Sequence, residues 1–292
     1  MLCSVSVRYL FSGNRVDMIT SKLLVALLVA AVASLSSALT DEQIVSFMTT
    51  ASVETNTGQT GMVSIVTADR MHTITSNGVP DHPTPEYPNQ GNPNDIVVQA
   101  HQWTVPVNPT VATSTTELPL GPISVAINGI PFFNPYTAKG EDAVLTETFD
   151  SCDGHPTNRG VYHYHKQPSS CVFDIVSGEP SPLIGVALDG FPIYGPIDEN
   201  GVELTSADLD ECHGRFVDGK YRYHTTADFP YIMGCFKGTY SGSAAGGRPP
   251  PGQGGGNDND NSGGAGGHSG LKTIIGVILL GCTTAAFSIN ST

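Results

Sequence analysis

Two stretches of this chain repeat one another landmark by landmark, and that repetition limits the folds open to it. The first reads VAINGIPFFNP (Val125–Pro135), then FDSC ending at Cys152, then YHYH (Tyr162–His165), then Cys171. The second reads VALDGFPIYGP (Val186–Pro196), then LDEC ending at Cys212, then YRYH (Tyr221–His224), then Cys235. The pairs Val125/Val186, Cys152/Cys212 and His165/His224 lie 61, 60 and 59 residues apart, so the order holds while the register drifts. A duplicated unit of about 60 residues packs against its twin, because one copy alone cannot bury its apolar face. Repeat units of about 121–181 and 182–240 are therefore expected, with function where their similar surfaces meet.

Local patterns point to strands. Asn128-Gly129 and Asp189-Gly190 each separate two apolar runs, and Asp218-Gly219 separates Phe216 from Tyr221. Such pairs are strong hairpin signals, since both central positions must tolerate positive φ. Val63 to Thr67 and Ile96 to Val105 are rich in β-branched residues, whereas proline and asparagine crowd Pro80 to Pro93 into an irregular loop. Thr40 and Gln43 stand at capping-box spacing and predict a short helix over Thr40 to Ser52. No other helical period is sustained, so the expected fold is all-β, a sandwich or barrel-like domain.

The ends suggest a secreted, surface-held protein. Met18 to Ala38 has the form of a secretory signal: Lys22, an apolar run from Leu23 to Ala33 too short to span a bilayer, and a small-residue site at Ser36-Ser37-Ala38. Residues 1–38 are assigned to it, with Met18 as an alternative start, and 39–60 form an N-terminal segment ahead of the main domain at 61–240. A Gly/Pro/Asn-rich stalk, 241–272, leads to an apolar tail, 273–292, with no Lys or Arg beyond it. Small residues at Ser262-Gly263-Gly264 followed by a spacer and that tail match a GPI-attachment signal, with Ser262 as the attachment residue and a cell membrane as partner; a transmembrane helix is the rival reading. A formal charge of −14 and a pI near 4.8 argue against nucleic acid as a partner.

Between those ends remain Cys152, Cys171, Cys212 and Cys235. An even count in an oxidising compartment reads as two disulfides, for which three pairings exist. The repetition favours Cys152–Cys171 and Cys212–Cys235, each closing a loop around one Tyr-x-Tyr-His run.

Histidine carries the chemistry. On a strand, residues two apart share a face, so His163 and His165 point the same way and can converge on one metal ion, while Tyr162 and Tyr164 turn to the core. In the second copy Arg222 and His224 take the places of that pair. If the twins pack about a pseudo-twofold axis, His224 faces His165 and supplies a third imidazole, with His155 and His213 in reserve. Imidazoles suit copper or zinc. His72, His82, His101 and His268 are read as structural or solvated, and Arg159 and Arg222 as surface cations. Gly-x-Ser-x-Gly and His-Glu-x-x-His motifs are missing, as is a free thiol outside the removed ends.

At the YHYH run the chain resembles the YHYH-domain family, a largely uncharacterised group of secreted proteins. The likeness extends from about Thr75 to Gly238 and includes SNGVPDH (Ser76–His82), LGPISVAINGIPFFNP (Leu120–Pro135), FDSCDGHP (Phe149–Pro156), GVYHYH (Gly160–His165), PLIGVALDGFPIYGP (Pro182–Pro196), LDECHG (Leu209–Gly214) and FPYIMGCFKG (Phe229–Gly238). Members often repeat YHYH in the second copy, where this chain has YRYH. The resemblance implies the domain's extent and a secreted location, not a reaction. The expectation is thus a cell-surface module binding copper or zinc at His163, His165 and His224, with a metal-dependent extracellular enzyme and a metal-free structural or adhesion module as alternatives. Whether its further partner is protein or glycan is open.

Overall fold

The structure is a computed structural model that describes residues 38–168, 171–240 and 244–245. Residues 1–37 of the expected signal at 1–38, most of the expected stalk, the tail, Ser262 and His268 lie outside the described residues. Strands dominate, as the patterns require. They are β1 (Val63–Ala68), β2 (Met71–Ser76), β3 (His101–Pro106), β4 (Val111–Glu117), β5 (Pro122–Ala126), β6 (Pro131–Phe133), β7 (Gly154–Pro156), β8 (Tyr162–Tyr164), β9 (Leu183–Ala187), β10 (Pro192–Tyr194), β11 (Gly214–Val217), β12 (Lys220–His224), β13 (Cys235–Gly238) and β14 (Ala244–Ala245). Helix is confined to α1 (Asp41–Val45), α2 (Ala143–Thr146) and a 3₁₀ turn at Ser206–Asp208.

The expected helix over Thr40 to Ser52 is shorter than the sequence suggested. Its capping box forms between Thr40 and Gln43, but it stops at Val45 and buries none of its residues. Beyond it the hydroxyls take over the bonding: Thr49 donates to the Gly61 carbonyl and Thr50 and Ser52 to that of Asp81. Short polar side chains compete in this way with the helical backbone.

Eight strands form one open sheet in the order β11-β12-β10-β9-β5-β6-β8-β7. The three Asn-Gly or Asp-Gly turns sit where expected, joining β5 to β6, β9 to β10 and β11 to β12. Read from either edge, the sheet presents the same sequence of roles. At its centre β5 and β9 run antiparallel with Val125 opposite Val186. On one side β6 pairs in parallel with β8, Phe132 beside Tyr164; on the other β10 pairs in parallel with β12, Ile193 beside Tyr223. A second sheet, β1-β2-β3-β14, contributes Ile74, Trp103 and Val105 to the core that also holds Ile123, Val125, Ile184 and Val186 of the large sheet. The all-β expectation is met in a layered arrangement.

Both expected disulfides are present, Cys152–Cys171 and Cys212–Cys235. Each closes a loop around one edge hairpin. Within those hairpins Gly154 and Gly214 are required for space: a Cβ at either would lie 2.3 Å from the hydroxyl of Tyr162 or Tyr221.

The sheet order corrects one expectation. The halves meet at β5 and β9, not at their histidine strands, and five strand steps separate β8 from β12. At ~4.8 Å per step, His224 lies about 24 Å from His165, far beyond a shared ion.

Candidate metal centre

On the edge hairpin of the first half, His155 of β7 stands directly opposite His163 of β8. His165, two residues after His163, joins the same face. Tyr162 and Tyr164 occupy the other face and are fully buried. Tyr162 donates to the Asp150 carboxylate at 2.7 Å, while Tyr164 accepts from Asn128 Nδ2 at 3.1 Å and donates to His82 Nε2 at 2.7 Å. The aromatic pair thus anchors the strand that presents the histidines.

Each imidazole is fixed through Nδ1. His155 Nδ1 lies 2.9 Å from the Thr148 carbonyl, His163 Nδ1 3.1 Å from that of Val161, and His165 Nδ1 2.7 Å from that of Asn134. A carbonyl oxygen only accepts, so each Nδ1 carries the proton and each neutral ring keeps its lone pair on Nε2. Those Nε2 atoms converge, 3.1 Å apart for His155 and His163 and 3.0 Å for His163 and His165. Glu147, at the end of α2, brings Oε2 to 3.1 Å from His155 Nε2 and 3.4 Å from His165 Nε2. One ligand atom from each of Glu147, His155, His163 and His165 lies within 4.8 Å of the others.

Electrostatics sharpen the picture. Burial pushes His163 well below its ordinary value, and the neighbouring His165 and His155 push the same way. Lone pairs gathered on the Nε2 atoms beside a carboxylate repel unless a cation lies among them, and burial disfavours a proton on His163. A metal ion fits the donor set of three imidazole nitrogens and one carboxylate oxygen. Carbonyl acceptors on the far ring nitrogens are the outer-shell partners that orient metal-binding histidines. Phe133 and Phe149 cover the rings of His163 and His155 at 4.0 and 4.7 Å between centroids. Above them opens a cleft of about 610 Å³ that the three histidines and Glu147 help to line.

Of the histidines singled out by sequence, His163 and His165 come together and the reserve residue His155 joins them; His224 and His213 do not. The physical reason is the sheet order: both belong to the opposite half. His224 Nε2 accepts from Arg222 Nε at 3.0 Å, and its Nδ1 lies 2.8 Å from the Gly195 carbonyl. His213 is engaged by Ser206, Thr226 and the Ile232 carbonyl. Arg222 is no solvated cation but pairs with Glu199 at 2.7 Å. The three histidines of the cluster are buried, His163 being 3% exposed. Glu147 was missed by the sequence reading. Its signal was present: Glu147 stands five residues before Cys152, and the position five before Cys212 is Ala207, in the copy that also lacks the paired histidines.

No curated protein and no solved structure matches the chain. A family model described as YHYH protein matches residues 102–205 and 198–238. It covers the large sheet, both disulfides and all four residues of the histidine–glutamate cluster, so this part of the chain, 102–238, is a domain of the YHYH family.

Proposed function

We propose that this YHYH domain binds a transition-metal ion, zinc or copper, through His155, His163 and His165 with Glu147 as the fourth donor. One observation carries the reading: all three Nδ1 atoms are committed to backbone carbonyls, so every free lone pair points to one place. Metal analysis of the full chain after dialysis against Zn²⁺ or Cu²⁺ tests it. One equivalent in the wild type is expected; failure to bind either ion below millimolar concentration overturns it.

The cleft on one side of the cluster supports a metal-dependent enzyme only if Glu147 stands beside a three-histidine ion rather than completing its shell, since catalytic sites keep a position open to substrate or water. We read the two halves as an internal duplication whose second copy has lost the ligand set, which the symmetric strand order supports. Paired cysteines support an oxidising, extracellular setting, and the apolar tail supports a GPI anchor at Ser262. Release from cells by phosphatidylinositol-specific phospholipase C is expected; retention with the tail intact by mass spectrometry would mark a membrane span.

A further inference from the structure

We infer that the cleft over the histidine–glutamate cluster is a binding site for a neutral glycan chain. The inference deepens the metal reading, on which it rests for the chemistry of the cleft's floor. Three observations support it. First, Glu147 is the one acidic or basic (Asp, Glu, Lys or Arg) side chain lining the cleft, and it is turned inward to the histidines. No lysine or arginine lines it, so beyond the ion at its floor the walls offer no cation to a phosphate, sulfate or carboxylate, and the chain's formal charge is −14.

Second, the walls offer amides and hydroxyls. Asn158 and Thr148 are exposed, and their side chains make no hydrogen bond to the described residues. Asn94 commits its Nδ2 to the Pro156 carbonyl and keeps its side-chain oxygen. Amides and hydroxyls supply donors and acceptors together, which matches sugar hydroxyls, themselves both donors and acceptors. The volume of about 610 Å³ lies within the range of small-ligand clefts, ~300–1,000 Å³.

Third, an aromatic platform stands at the rim. Tyr136, which lines the cleft, is 45% exposed, and Phe229, 40% exposed, meets it at 5.4 Å between centroids. Burying such rings is strongly favourable, so exposed aromatics in contact mark a surface made to be covered. Axial C–H edges of a sugar ring carry partial positive charge and suit the negative face of an aromatic ring. Phe216, the other exposed phenylalanine among the described residues, does not line this cleft and serves as an internal control.

Titration of the full chain, chelator-stripped and separately zinc-loaded, with cellohexaose, chitohexaose, laminarihexaose and mannohexaose tests the inference, with a heparin hexasaccharide as polyanion. At least one neutral hexasaccharide should bind with a Kd below ~1 mM. Tyr136→Ala and Phe229→Ala should each weaken binding about tenfold, while Phe216→Ala leaves it unchanged. Binding of heparin alone, of none of the neutral chains, or equal binding by Tyr136→Ala overturns the inference. Glycan binding without metal uptake would sink the metal reading and leave this one; metal uptake without glycan binding would do the reverse.

Discussion

The two halves of the large sheet set matching strands at matching places and load them with different charges. On one edge, β7 and β8 put His155 opposite His163; on the other, β11 and β12 put Arg215 opposite Arg222. Glu147 has its counterpart in Ala207. Only His165 and His224 agree, and each holds a backbone carbonyl with Nδ1, that of Asn134 at 2.7 Å and of Gly195 at 2.8 Å. The lone pair left on Nε2 then meets different things. In the second half it accepts from the Arg222 guanidinium, and Arg222 and Arg215 are in turn neutralised by Glu199 and Asp198 together. That half carries its cations as side chains. The first half offers lone pairs and a carboxylate, with no lysine or arginine lining its cleft to meet them. The frame is indifferent to its cargo: three side chains decide whether an edge is self-neutralised or open to a metal.

The sharpest way to break this contrast is to remove the donors on one side. His163→Ala with His165→Ala should lower metal affinity by about 10²-fold or more, since loss of outer partners alone costs ~10–100-fold. Arg222→Ala should leave uptake intact. Equal binding by the double variant, measured by calorimetric titration, would end the metal assignment.

A gain-of-function graft comes next. Ala207→Glu, Arg215→His and Arg222→His together rebuild the four donors around His224, whose Nδ1 is already fixed. Metal content should rise from one equivalent to two. A folded triple variant that still takes up one would show that backbone differences between the halves matter as much as side chains.

Acid should act on the second half through His224. Burial and then the nearby Arg222 and Arg215 lower its value from 6.5 to about 4, against an opposing pull from the Gly195 carbonyl and Glu199. Between those values the unfolded chain binds more protons than the folded one, so stability is full above pH ~6.5 and is lost as pH falls toward 4, by about 3 kcal/mol in all. Denaturant titrations at pH 7, 5 and 4 should show at least that slope, shared with the buried His101 and His213, and His224→Gln should reduce it; an unchanged slope would assign the acid sensitivity elsewhere.

The smallest expected difference concerns the tyrosines behind the edges. Tyr223 donates to the fully buried Asp189 at 2.6 Å, whereas Tyr164 bonds to the Asn128 amide and the His82 ring. A hydrogen bond to a charged group is worth roughly twice a neutral one, so Tyr223→Phe should cost about 2 kcal/mol and Tyr164→Phe about 1 kcal/mol. Equal losses in thermal or denaturant unfolding would mean that Asp189 is protonated in the fold, the direction in which its burial pushes it.

Much of this was legible from residues alone, for identifiable reasons. The hairpins at Asn128-Gly129, Asp189-Gly190 and Asp218-Gly219 are local, as is the alternation that sends Tyr162 and Tyr164 inward and His163 and His165 together. The disulfides followed from matched cysteine positions. The order of strands did not follow: matched sequences state that two units are alike, but not which edges join. Choosing β8 and β12 as the meeting place, where the sheet joins β5 to β9, brought His224 in wrongly. Glu147 was hidden because α2 is a single turn with no apolar period to announce it.

All four donors of the candidate centre fall between Glu147 and His165, inside one half and largely within the Cys152–Cys171 loop or just before it. Sequence-local contacts close with little loop entropy and form early. Capture of an ion therefore does not have to wait for the β5–β9 seam to assemble. An ion bound at this edge would act as a nucleus on which β7 and β8 order first, leaving the arginine half to dock afterwards.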